Sequence, residues 1–256
     1  MARYDFRQPR LYLDTRLAAG VRVELDRDPV NYLRNVLRLA SGDGILLFNG
    51  RDGEWQATLS ASGKRALMAV VGGQTRSQPP AGDLHYLFAP IKHARLDYMV
   101  QKAVELGVTR LQPVLTRHTQ ASRVNLDRMR ANAIEAAQQC GVLALPEIAA
   151  PIEFKMLLGD AEPERLIVFC DEEAEIADPV AALATIRPPA NGVLPLAVLI
   201  GPEGGFAEEE RAALLMRPNV LRLALGPRIL RADTAAVAAL TLVQAVLGDW
   251  TAAPKQ

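Results

Sequence analysis

The sequence predicts an α/β protein: a mostly parallel sheet covered by helices on both faces, preceded by a small β-barrel. Three observations predict it. From Leu84 onward, short apolar runs alternate with stretches of helical spacing. Before Gly72 the apolar residues fall into five short runs separated by turn residues. The carboxyl half carries two glycine-bearing loops, each placed between an apolar run and a helix. Open α/β sheets bind their ligands at such loops, outside the carboxyl ends of the strands.

In the amino-terminal part, Leu11–Leu13, Val21–Leu25, Ile45–Phe48, Trp55–Leu59 and Ala66–Val71 read as strands. Asn49-Gly50 and Asp52-Gly53 lie between two of them, and both dipeptides accept positive φ, so a hairpin is expected there. Between Pro29 and Leu39 the period changes. Val30, Leu33, Val36 and Leu37 fit one face of a helix, with Arg34 and Arg38 on the other side. Small barrels of this size often bind oligonucleotides on one face, an expectation resting on fold-level analogy. Gly72-Gly73 and Pro79-Pro80 enclose polar residues. The boundaries expected are therefore a barrel over 1–72, a linker over 73–83 and a second domain over 84–256.

In the second domain Leu84–Pro90 reads as a strand. Leu96, Met99, Val100, Ala103 and Val104 form one helical stripe, which Gly107 ends. Leu111–Leu115 is the next strand. Leu126, Met129, Ala133, Ile134 and Ala137 mark a helix ended by Gly141. Leu166–Cys170 is a strand, followed by an acidic loop or helix start over Asp171–Asp178. Val193–Ile200 is a strand, Glu208–Met216 a helix, Val220–Ala224 a strand and Thr234–Leu247 a long apolar helix.

Composition narrows the function. The chain has 256 residues, half of them hydrophobic, and no apolar run long enough for a membrane span. Met1–Arg10 is charged and does not read as a signal peptide. Cys140 and Cys170 lack metal-ligand spacing and are expected as buried free thiols of a cytoplasmic protein. Residues 1–132 carry 20 Lys and Arg against 12 Asp and Glu, whereas the remainder carries 9 against 17. Such a divide suggests that one part meets a polyanion. Arginine makes up most of the excess, and its planar fork suits phosphate.

The loops carry the chemistry. The first reads Ile200, Gly201, Pro202, Glu203, Gly204, Gly205. It lacks the Lys-Ser/Thr of a phosphate-binding loop and the spacing of the dinucleotide fingerprint. Glu208, Glu209 and Glu210 open the next helix, where carboxylates favour the dipole and disfavour a docked phosphate. They read as solvated helix-start charges. The second loop contains Leu225, Gly226, Pro227, Arg228, Ile229, Leu230 and Arg231. Two strands lying side by side, each ending in Gly-Pro, would form a pocket of bare backbone. Arg228 and Arg231 suit a phosphate or a developing anion, unless one pairs with Asp233. His85, His93 and His118 have no metal spacing, and no serine sits in a nucleophile elbow, so no hydrolytic triad is expected.

Gly201-Pro202-Glu203-Gly204-Gly205, taken with Leu225-Gly226-Pro227-Arg228-Ile229-Leu230-Arg231, resembles the signature of the ribosomal RNA small-subunit methyltransferase E family, of the SPOUT class. Gln101–Val108, Gln139-Cys140-Gly141, Pro146-Glu147-Ile148, Pro9–Tyr12 and Val36-Leu37-Arg38 are similar to other parts of that family. The resemblance spans nearly the whole chain. It implies a PUA-like amino-terminal barrel, a trefoil knot near the carboxyl end, a homodimer, and methylation of N3 of one uridine in 16S ribosomal RNA, free or in the small subunit. It implies S-adenosyl-L-methionine as cofactor, enclosed by Ile200, Gly201, Pro202, Glu203, Gly204 and Gly205 on one side and Leu223, Leu225, Gly226, Ile229 and Leu230 on the other. No metal is implied. Arg231 would lie beside the reacting base and stabilise its anion, with Glu203 or water as the base. Arg10, Arg34, Arg38 and Arg228 would hold RNA. The family commonly has Glu at Gln138, Arg at Val142, His at Asn31 and Thr at Ala232. Two other readings stand beside this one: a SPOUT enzyme acting on another RNA position, and a non-catalytic RNA-binding ribosome-assembly factor.

Overall fold

The computed structural model describes residues 8–63, 66–121, 123–159, 162–175, 178–187, 189 and 193–251, apart from the side chains of His93 and Thr251. Most of the Met1–Arg10 start thus lies outside the described residues. The chain divides into two compact units, Met1–Pro80 with Ile134–Leu145, and Ala81–Ala133 with Pro146–Gln256.

Among the described residues, the first unit is built on five strands: β1 (Arg10–Tyr12), β2 (Arg22–Glu24), β3 (Gly44–Phe48), β4 (Glu54–Ala61) and β5 (Leu67–Arg76), in the order β1-β3-β4-β5-β2. They wrap one core to which β1, β3, β4 and β5 contribute Leu11, Ile45, Leu47, Leu59, Leu67 and Val71, with Val23 of β2 packed against it. The β3–β4 hairpin forms where the glycines predict it. Gly50 and Gly53 have φ of 83° and 80°. Asn49 Oδ1 accepts the N–H groups of Arg51 and Asp52, and the Asp52 carboxylate accepts that of Leu17.

Two expectations change here. The helix starts as α1 (Arg27–Asn31) and widens into a π turn over Tyr32–Val36, closed by the Leu37 N–H on the Tyr32 carbonyl at 3.0 Å. One extra residue in a turn rotates the downstream residues by about 100°. Leu33 is fully buried, but Val36 is 62% exposed. Arg38 is beyond the helix, at φ 58°, so it does not share a helical face with Arg34. The second change concerns Gly72-Gly73. β5 runs through both glycines to Arg76, and its pairing shifts from Ala57↔Val71 to Trp55↔Gln74. The glycines thus mark a bulge with one extra residue on β5, and the first residues of the 73–83 segment are strand.

The second unit holds β6 (Leu84–Phe88), β7 (Arg110–Leu115), β8 (Glu147–Ile148), β10 (Leu166–Cys170), β11 (Leu196–Ile200) and β12 (Val220–Leu223), in the order β12-β10-β11-β6-β7-β8; the two-residue β9 (Ile152–Glu153) pairs with β7. Every pair is parallel. Alternation along the strands sends Leu87, Ile167, Phe169, Ala197 and Leu199 to one face, with Phe154 and Leu157 of α4 (Phe154–Leu158) and Leu214 of α6 (Glu208–Leu215). The opposite face bears Tyr86, Phe88, Val168 and Val198. There α7 (Ala232–Val246) packs on β11, on α2 (His93–Glu105) and on α5 (Pro179–Ala184). The helix expected at Leu126 is α3 (Leu126–Cys140). Among the described residues no helix is long and apolar enough to cross a membrane.

Candidate functional site

The register of the parallel sheet sets the site. Leu223, Cys170 and Ile200 end β12, β10 and β11, and they stand directly abreast, Leu223 beside Cys170 and Cys170 beside Ile200. The two glycine loops therefore do not leave adjacent strands. β10 lies between them and supplies the floor, which the sequence reading missed. The loops and this floor enclose a cavity of about 570 Å³. Its lining contains every residue expected to hold a cofactor: Ile200, Gly201, Pro202, Glu203, Gly204 and Gly205 from one loop, and Leu223, Leu225, Gly226, Ile229 and Leu230 from the other. Arg228 and Arg231 line it as well, and so do Cys170, Asp171, Glu172 and Ala174.

Each glycine has its own reason to be there. A Cβ on Gly201 would stand 2.5 Å from the Phe206 ring, which packs edge-on against Phe169 at 5.0 Å. Glycine at 201 thus admits Phe206 to the core. At Gly226, with φ 95°, a Cβ would meet nothing within 4 Å, so this is the position that turns bare backbone to open space.

The first loop is held from outside. The Gly205 N–H closes a turn on the Pro202 carbonyl at 2.9 Å. His118 Nδ1 lies 3.1 and 3.2 Å from the carbonyl oxygens of Gly204 and Gly205, so that nitrogen carries the proton and donates. Glu210 accepts from the Ala207 N–H at 3.0 Å and the Arg117 N–H at 2.9 Å, joining the start of α6 to the loop after β7. Glu210 is therefore a latch and not a solvated charge. Glu203 stands 3.7 Å from Arg95.

Beneath the floor lies a buried ionic knot. The Asp171 side chain is fully buried and meets Arg222 at 2.7 Å and Arg211 at 3.3 Å. Arg211, itself buried, also reaches Glu172, Glu173 and Glu208. These contacts tie β10, α6 and β12 together at the base of the cavity. Burial, with Asp171 alongside, pushes the Cys170 thiol up to about 12. Cys170 is thus a neutral wall and no nucleophile. Cys140, by contrast, is exposed at the end of α3, contrary to the expectation of two buried thiols.

The expected RNA residues separate. Arg228 and Arg231 are exposed, and Arg231 is the N-cap of α7. Arg34 is half-buried, 3.5 Å from the Ala66 carbonyl, and Arg38 is exposed. Arg10 is not available to a phosphate. Its side chain is 7% exposed and pairs with Glu54 at 2.8 Å. It also donates to the carbonyls of Ala137, Gln138 and Val142 at the end of α3. A cation there satisfies carbonyls that have no partner within the helix.

The sequence matches an RNA methyltransferase domain over residues 77–244 and an RNA methyltransferase PUA domain over residues 25–71. A ribosomal RNA small subunit methyltransferase E from Rickettsia conorii is 32% identical, over 92% of this chain and 94% of that protein. The chain belongs to the ribosomal RNA small subunit methyltransferase E family. A Synechocystis methyltransferase E is 34% identical over 88% of this chain and 73% of its own length. Among solved structures, methyltransferase E from Neisseria gonorrhoeae bound to S-adenosyl methionine superposes with a TM-score of 0.83 at 29% identity, covering 95% of this chain and 100% of that one. A putative methyltransferase from Legionella pneumophila, also with S-adenosyl methionine, gives 0.79 at 27% identity, covering 93% and 98%.

Proposed function

We propose that this chain methylates N3 of one uridine in 16S ribosomal RNA, with S-adenosyl-L-methionine as donor, and does so in the cytoplasm as a homodimer whose carboxyl-terminal unit is knotted. One juxtaposition carries the reading: a single cavity at the carboxyl ends of three neighbouring parallel strands, with Glu203 and Arg231 both in its lining. The donor fits these residues. The volume is in the range of small-molecule sites, Leu223, Leu225 and Leu230 offer apolar walls to an adenine, and the glycine loops offer main-chain donors and acceptors. Bound there, S-adenosyl-L-methionine supplies an electrophilic methyl group.

The residues of the chain do the rest. The N3 imide of uridine is a poor nucleophile until it loses its proton. Glu203 takes that proton, and Arg231 stabilises the negative charge left on N3 and its flanking carbonyl oxygens. The loops fix the angle of approach, and the target base leaves its stack to reach them. Arg34, Arg38 and Arg228 hold phosphates and set the register.

The deciding experiment is nucleoside mass spectrometry of ribosomal RNA from a deletion strain. The expected result is loss of one 3-methyluridine from 16S RNA and its return on complementation. Loss of a different methylated nucleoside would transfer the chemistry to another atom. An unchanged nucleoside profile, with no S-adenosyl-L-methionine binding by calorimetry, would leave only an RNA-binding role.

A further inference from the structure

A second cavity, of about 400 Å³, opens beside the first on the same unit. Its floor is apolar, made by Ile91, Leu96 and Met129, all buried. Its rim carries Lys92, Arg123 and Arg128, exposed, against one carboxylate, Asp97. That carboxylate is already engaged. Arg128 Nε donates to Asp97 Oδ1 at 2.8 Å, and Asn132 donates to the same oxygen at 2.9 Å. Gln120 and Asn125 add amide groups to the lining.

Two contacts link the linings of the two cavities. Arg95, in the first turn of α2, reaches Glu203 of the glycine loop, and its neighbour Leu96 lines the second cavity. His118 holds Gly204 and Gly205, and Gln120, two residues on, lines the second cavity. The start of α2 and the loop after β7 therefore each touch the glycine loop and contribute to the second cavity.

We propose that this second cavity seats a nucleotide of the RNA flanking the methylated one, its base on the Ile91–Leu96–Met129 floor and its phosphate between Lys92 and Arg123. A flat apolar face next to an anion is the chemistry of a nucleotide, and amides at the rim suit base edges. The assignment rests on the reading of the first cavity as the methyl-transfer site, because that reading makes the neighbouring ligand part of the same strand. Seating a flanking nucleotide also helps hold the target out of its stack.

The test uses the full-length chain and unmodified 16S RNA transcribed in vitro, with affinity measured by filter binding over a range of salt. Lys92→Glu and Arg123→Glu are each expected to weaken binding by about tenfold. Each should also lower the slope of log affinity against log salt by about 0.7, one phosphate contact on a single strand. Calorimetry with S-adenosyl-L-methionine should show donor affinity unchanged in both variants, since neither residue lines the first cavity. Ultraviolet cross-linking should leave a nucleotide adduct on a tryptic peptide that holds a floor residue, 77–92, 96–102 or 129–130. Wild-type affinity and slope in the double variant would overturn the proposal. So would weakened binding to whole small subunits with naked RNA unaffected, which would make the cavity a seat for a ribosomal protein. Binding is read without turnover, so a wild-type chain that binds RNA through these residues but methylates nothing would refute the methyl-transfer reading alone.

Discussion

At the scale of single residues, Arg231 and Cys170 line the same cavity with opposite character. Arg231 is exposed at the N-cap of α7 and lines the cavity. If its charge meets the uridine anion, Arg231→Ala lowers kcat by about a hundredfold or more and leaves donor affinity within a few-fold, measured by single-turnover transfer and by calorimetry. An unchanged kcat at saturating donor would remove Arg231 from the chemistry. Cys170 is the opposite case. Its thiol lies on the floor of the cavity and is held neutral by burial and by Asp171. At pH 8 a thiol reagent should titrate one cysteine of the folded chain, Cys140, and two after denaturation. Equal reaction of both thiols in the folded state would contradict the geometry around Asp171.

At the scale of elements, Glu54 carries more than its own strand. It accepts from Arg76 Nε at 2.8 Å and from Arg10 Nε at 2.8 Å, and both arginines reach carbonyls at the end of α3, Arg76 that of Gly141 at 3.1 Å. Glu54→Ala removes the buried carboxylate that pairs with both Arg10 and Arg76, a change that costs about 3–5 kcal/mol. The measurement is the urea midpoint of the variant against the parent. A loss under 1 kcal/mol would mean that α3 does not depend on this cluster. The same cluster explains what the sequence hid. Arg10 reads as a surface cation because its partners lie 44 and more than 120 residues away. The long helices and the hairpin were legible because their signals are local: apolar period, Gly107, Gly141 and Asn49-Gly50. β8, β9 and α4 are two to five residues long, too short to show a period. The π turn depends on packing Leu33, which no spacing rule encodes. The glycine loops were legible as loops at the carboxyl ends of parallel strands, where they line a cavity. The place of β10 between them was not, because strand order in a parallel sheet is set by crossover paths and not by any single segment.

At the scale of the whole molecule, the two units differ in the buried groups that titrate, and the second alone responds on the alkaline side through Tyr86 and Cys170. In the first unit burial works to raise the Glu54 carboxyl, but the hydrogen bonds from Arg76 and Arg10 outweigh it, so its pKa falls below the ordinary 4.5. The Leu17 amide and the Asn49 side chain lower Asp52 below its ordinary 3.8. A depressed carboxyl contributes stability that is present above the unfolded-state value and lost as the pH drops through the folded one. The first unit should therefore weaken below about pH 4.5. In the second unit burial raises the Tyr86 hydroxyl well above its ordinary 10.0, and the Cys170 thiol from 9.0 to about 12. Both favour folding while protonated. That contribution is complete below pH 9 and fades as the unfolded chain begins to lose these protons, from pH 9 toward 12. Each unit holds one of the two tryptophans, Trp55 in the first and Trp250 in the second. In Trp250→Phe the remaining Trp55 fluorescence should change on the acid side first. In Trp55→Phe the Trp250 signal should change above pH 9 and also begin to change below pH 6.5, where His85, whose pKa burial lowers, is forced to take up a proton. If both reporters moved together at each end, the cooperative unit would be the full chain, and the acid response could not be assigned to Glu54 and Asp52.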